Sequence, residues 1–163
     1  MRRFCITAFR LFSTLGCTVW IASSSSVPNE LVGKWTMRTG SGSSYRDPQT
    51  AHYGAPNGNV FTYTIFPDGR YEHAALLSTS LYQCTMQIFG YETGRIEFGD
   101  GSLTFADEAG TFKSYDTCRP QWNYEKPGKI SRLTVRWRIE RDQYGLKLVL
   151  KRAAGTEESY YRQ

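Results

Sequence analysis

The stretch Arg132-Leu133-Thr134-Val135-Arg136-Trp137-Arg138-Ile139 alternates strictly between polar and apolar residues. Leu133, Val135, Trp137 and Ile139 fall on one side of an extended chain, and Arg132, Thr134, Arg136 and Arg138 on the other, because successive side chains of a strand point to opposite faces. Such a strand buries one face and shows the other to water.

The same period recurs on both sides of it. Downstream, a turn at Gly145 leads into Leu146, Leu148 and Leu150, alternating with Lys147, Val149 and Lys151, and residues 158–162 supply a last strand. Upstream, Leu31, Gly33, Trp35 and Met37 alternate with Val32, Lys34, Thr36 and Arg38, while Phe61, Tyr63 and Ile65 alternate with threonines. Pro67-Asp68-Gly69 is turn chemistry, since proline presets the first dihedral and glycine accepts positive φ, and it opens a strand over 71–76. Tyr82, Cys84, Met86 and Ile88 share a face opposite Gln83, Thr85 and Gln87. Ile96 and Phe98 run through Gly99-Asp100-Gly101 into Leu103 and Phe105, a strong hairpin signal, and 110–115 follows. No stretch of ten residues beyond the N-terminal region carries a helical period. Eight to ten strands joined mostly by short turns must stack as two sheets or close on themselves. The expectation is an all-β domain, an antiparallel up-and-down β-barrel that removes exposed edges; a β-sandwich is the alternative.

The first residues are built differently. Arg2, Arg3 and Arg10 precede any acid, residues 11–22 are apolar, and Ser23-Ser24-Ser25-Ser26 follows. That layout predicts a secretory signal peptide over 1–26, leaving a single domain over 27–163. The apolar run is shorter than the ~20 residues a membrane-spanning helix needs, so no transmembrane segment is expected in the mature chain. The expected location is periplasmic or extracellular. Leu15-Gly16-Cys17 supports an alternative, a lipid anchor on Cys17. Of the chain's formal charge of +5, the three leader arginines carry more than half, leaving 17 basic against 15 acidic residues. With no nucleic-acid motif, a nucleic-acid partner is excluded.

Of four cysteines, Cys84 and Cys118 lie in the domain. In an oxidising compartment two such cysteines pair, and closing a loop of about 35 residues stabilises by roughly 3.8 kcal/mol in the chain-entropy model. CxxC spacing of the redox or metal kind is absent.

Residues 39–58, rich in Gly, Ser and Pro, form a long loop of the kind that serves as a lid or binding loop; residues 117–130 form a second long connection, with Trp122 and Tyr124. Gly33-Lys34-Trp35 on the first strand resembles the Gly-x-Trp signature of lipocalins, and the chain is similar to the lipocalin-like (calycin-type) barrels of secreted bacterial proteins. Avidin-type barrels and periplasmic barrel inhibitors of metalloproteases begin with the same motif. The lipocalin resemblance implies that Trp35 plugs one end of the barrel, that Arg162 packs over its face, and that the 39–58 loop covers the open mouth. The Thr-Asp-Tyr signature of lipocalins is absent; Ser114-Tyr115-Asp116 is not its equivalent.

Catalytic chemistry finds no constellation. His52 and His73 are the two histidines; His73 alternates with Tyr71 and Ala75 and faces inward, whereas His52 sits in the long loop. The serine-rich run over 40–44 is neither a nucleophile elbow nor a phosphate loop, and no metal site or cofactor is expected. Arg132, Arg136, Arg138, Lys147 and Lys151 form a basic outer stripe, most simply the solvated side of amphipathic strands. Two functional expectations follow. In the first, the barrel holds a small apolar or amphipathic ligand against Tyr63, Tyr71, His73 and Tyr82, with Tyr53 contributed by the loop. In the second, the barrel is filled and the surface engages an unidentified envelope or secreted protein.

Overall fold

The computed structural model describes residues 27–40, 57–81, 83–99 and 101–163. The expected leader over 1–26 with Cys17, most of the 39–58 loop with His52 and Tyr53, and Tyr82 lie outside the described residues. The alternating segments become nine antiparallel strands: β1 (Gly33–Thr39), β2 (Gly58–Ile65), β3 (Arg70–Leu81), β4 (Cys84–Gly99), β5 (Ser102–Asp116), β6 (Tyr124–Pro127), β7 (Arg132–Asp142), β8 (Gly145–Arg152) and β9 (Glu157–Arg162). β4 and β5 pair along their lengths. The first half of β5 then carries β7, from Ser102↔Arg136 to Ala106↔Arg132, and its second half carries β6. β9 returns to β1 through Trp35↔Arg162 and Thr36↔Tyr161. Eight strands therefore form a closed hydrogen-bonded ring, an up-and-down barrel, with β6 as a ninth strand outside it.

β4 and β5 are each one strand where the sequence pattern suggests two shorter ones. The cause is an irregularity: Thr93 faces Ala109, but Gly94 faces Asp107, so Glu108 is an extra residue in β5. The bulge switches the inward positions of β5 from Leu103, Phe105 and Asp107 to Phe112 and Ser114, which breaks the period-two signal. Only glycine fits opposite it, since a Cβ on Gly94 would collide with the carbonyl oxygen of Ala106.

The core gathers at one end. Leu31, Trp35, Ile65, Leu103, Val135, Leu148 and Leu150 are fully or almost fully buried there, with Val27 packed beside them. Trp35 is 0% exposed, and its indole Nε1 donates to the Leu31 carbonyl at 2.8 Å. The Arg162 guanidinium lies 5.5 Å from the centre of the Trp35 ring and donates through Nη2 to the Val32 carbonyl at 2.7 Å. Gly33 beside it has a φ of +135°, a backbone conformation that favours glycine; a Cβ there would meet the guanidinium only at ordinary contact distance, 3.4 Å.

At the other end β3, β4, β5 and β6 run on past β7–β9 as a projecting blade. The disulfide Cys84–Cys118 ties its two tips together, with Cα atoms 5.4 Å apart, and Thr85 and Thr117 bond across the same junction. The 117–130 connection contains the 3-10 turn Pro120–Trp122 as well as β6. Most of the exposed large apolar side chains stand on this blade: Leu76, Leu81, Met86, Tyr115, Trp122 and Tyr124. Among the described residues no helix is long and apolar enough to cross a membrane.

Candidate functional site

Two rows of the barrel's inner face build the site. Tyr63, His73 and Glu92 lie side by side on β2, β3 and β4. In the next row Tyr71 faces Gly94, which in turn faces Asp107 across the bulge. With Phe105, Leu133, Ser131, Lys129 and Arg152 they line a cavity of about 190 Å³. That volume lies below the roughly 300–1,000 Å³ of drug-sized pockets, so the space suits a small molecule.

Aromatic packing holds the wall rigid. The Tyr63 ring stacks between His73 at 4.3 Å and Phe105 at 4.6 Å, and Tyr160 meets it edge-on at 5.2 Å. The polar groups behind are paired. His73 Nδ1 lies 2.8 Å from Glu92 Oε2. Tyr71 donates its hydroxyl to Asp107 Oδ1, whose other oxygen accepts from the Ser131 backbone at 3.0 Å and the Ser131 hydroxyl at 2.6 Å. Arg152 Nε donates to Glu158 at 2.9 Å, and the Tyr160 hydroxyl donates to the second oxygen of that carboxylate at 3.0 Å. The buried side-chain oxygen left without a partner among the described residues is Ser78 Oγ. Tyr63 is 4% exposed, and its hydroxyl makes no hydrogen bond to a described residue. Burial, followed by the nearby Glu158 carboxylate, pushes its pKa well up; burial and the bond to Asp107 do the same for Tyr71. Both phenols therefore stay protonated and act as donors at neutral pH.

Of the expected ligand contacts, Tyr63, Tyr71 and His73 come together here, while Tyr53 and Tyr82 lie outside the described residues. Phe61, another inward ring, packs against the core instead of the cavity. The apolar-walled chamber expected from the tyrosines is instead a small cavity with five ionisable side chains besides tyrosine: His73, Glu92, Asp107, Lys129 and Arg152. These were not legible, apart from His73. Glu92 and Asp107 are separated in sequence and meet only through strand register, and Lys129 and Ser131 lie on the β6–β7 link. Among the described residues no three His, Cys, Asp or Glu side chains form a group able to hold a metal ion.

The basic outer stripe is largely neutralised in place. Arg138 pairs with Glu140 at 2.6 Å and Glu157 at 3.0 Å, Lys147 with Glu140 at 3.0 Å, and Lys151 with Glu157 at 3.5 Å; Arg132 pairs with Glu97. A shallow groove of about 440 Å³ between Ser102, Thr134, Arg136 and Lys151 crosses this outer wall. Compared with protein-family models, with curated proteins and with solved structures, the chain matches none of them.

Proposed function

We propose that the chain is an exported, lipocalin-like binding protein whose barrel mouth holds a small amphipathic molecule. The observation that carries this reading is Tyr63: a cavity-wall ring braced by His73 and Phe105, with a hydroxyl that bonds none of the described residues. A rigid wall that presents a few uncommitted donors is the arrangement that orients a ligand. Export fits the Cys84–Cys118 bridge, which persists in oxidising compartments. Native mass spectrometry of protein purified from its own host tests the proposal. A retained small molecule, absent from a Tyr63→Phe preparation, is the expected result; wild-type protein that carries no molecule and binds none from a fragment collection refutes it. N-terminal sequencing of the exported protein is expected to read from a residue between 23 and 27.

A second reading has its own observation. The apolar side chains concentrated on the disulfide-tied blade, led by Leu81 at 64% and Trp122 at 60% exposed, suit contact with a protein partner, since aromatic residues and Met are enriched at interfaces. Leu81→Asp and Trp122→Ala would then abolish partner capture and leave small-molecule binding intact.

A further inference from the structure

We infer that the molecule held in the cavity is a small organic anion, a carboxylate anchored by Tyr63 and Lys129. The inference rests on the ligand-binding reading above and comes from matching donors with acceptors around the wall. Both oxygens of Asp107 already accept, one from Tyr71 and the other from Ser131 twice. Glu92 accepts through Oε2 from the His73 ring when that ring is protonated at Nδ1. Glu158, behind the wall, is occupied by Arg152 and Tyr160.

What remains uncommitted is mostly donors. Tyr63 lines the cavity and bonds none of the described residues through its O–H. Lys129, at the rim, has no carboxylate within ion-pair distance among the described residues. Arg152 spends Nε and Nη2 on a single Glu158 oxygen and keeps Nη1. A carboxylate satisfies these groups together, with one oxygen on Tyr63 and the charge facing Lys129. Its apolar body would lie against Phe105 and Leu133. Asp107 keeps its negative charge, since Tyr71 and Ser131 are neutral donors, so an anion is held where Lys129 and Arg152 outweigh it. A cation finds one uncommitted carboxylate oxygen, Glu92 Oε1, and must pass the like charge of Lys129.

Three probes of one shape separate the possibilities: benzoate, neutral benzamide and cationic benzylamine. Each is titrated at pH 7.5 into the exported full chain, with binding followed by calorimetry and by the NMR signals of Phe105 and Leu133. Benzoate is expected to bind about tenfold more tightly than benzamide, the advantage of one charge-assisted contact. Lys129→Gln, at an exposed position, should remove most of that advantage by weakening benzoate far more than benzamide. Tyr63→Phe, which keeps the ring, should weaken benzoate by about tenfold, the worth of one hydrogen bond. If benzamide or benzylamine shifts the cavity signals at equal or lower concentration than benzoate, the anion assignment is overturned and the ligand cavity stands. If Lys129→Gln leaves the preference for benzoate intact, the assignment to Lys129 is overturned. If no probe moves the Phe105 and Leu133 signals, both the assignment and the reading beneath it fail.

Discussion

Removing Trp35 and Arg162 singly and together measures how the barrel is closed at its packed end. Cutting a buried Trp to Ala costs about 3–5 kcal/mol, and Trp35→Ala belongs at the upper end because the Leu31 carbonyl also loses its indole donor. That is a large share of the about 5–15 kcal/mol by which a domain is stable, so Trp35→Phe, expected to cost about 1–2 kcal/mol, serves if the alanine variant does not fold. Arg162 makes two separable interactions. Its contact with the ring, 5.5 Å from the centroid, is worth about 0.5–1 kcal/mol at an exposed site. Its bond to the Val32 carbonyl adds about 1 kcal/mol, less than a buried charged bond because water competes for it. Only the first depends on the indole. Arg162→Ala should therefore cost about 1.5 kcal/mol in the wild-type background and about 0.5–1 kcal/mol less once Trp35 is Ala. Urea unfolding of the two single variants and the double variant, followed by far-ultraviolet circular dichroism, completes the cycle. Losses that add within about 0.3 kcal/mol would show that Arg162 does not act through Trp35, and the ring contact would then have no role in holding β9 to β1.

Three further outcomes follow from the same structure. Replacing Cys84 and Cys118 by Ser should cost about 3–4 kcal/mol for a loop of 34 residues, and hydrogen exchange should accelerate first on the blade around Leu81 and Asp116; uniform acceleration through the ring would contradict the assigned role. Tyr71→Phe should destabilise by about 1–2 kcal/mol because it takes a donor from Asp107, whereas Tyr63→Phe should cost less than about 0.5 kcal/mol; equal losses in thermal unfolding would place a partner on the Tyr63 hydroxyl. The Arg138 guanidinium holds the Glu157 and Glu140 carboxyls below their ordinary range, and the Tyr144 amide does the same for Asp142. Since these folded-state values lie below the unfolded ones, their contribution is complete above the usual carboxylate range and is lost as the pH falls through the depressed values. The urea midpoint should drop below about pH 4.5, and more shallowly in Arg138→Gln; identical pH profiles would remove the network from the account.

Much of the architecture is local and therefore legible in order. Period-two alternation such as that of Leu133, Val135, Trp137 and Ile139 fixes both the element and its buried face, because a strand's side chains alternate whatever it pairs with. Turn residues such as Pro67-Asp68-Gly69 fix which strands are neighbours. From these the all-β class, the meander and the inward direction of Tyr63, Tyr71 and His73 all follow. The sequence alone does not reveal where the period breaks. The bulge opposite Gly94 leaves Leu103 and Phe112 of one strand out of phase, because the extra residue, Glu108, belongs to a pairing and not to a segment. The cavity's polarity has the same origin. Glu92, Asp107 and Arg152 read as ordinary polar positions along their own strands, and only closure of the ring gathers them around the hydroxyl of Tyr63. Local physics determined the alternation of side chains within each regular stretch; long-range register decided where that alternation shifts and which side chains meet, since register is set by the pairing of strands distant in sequence.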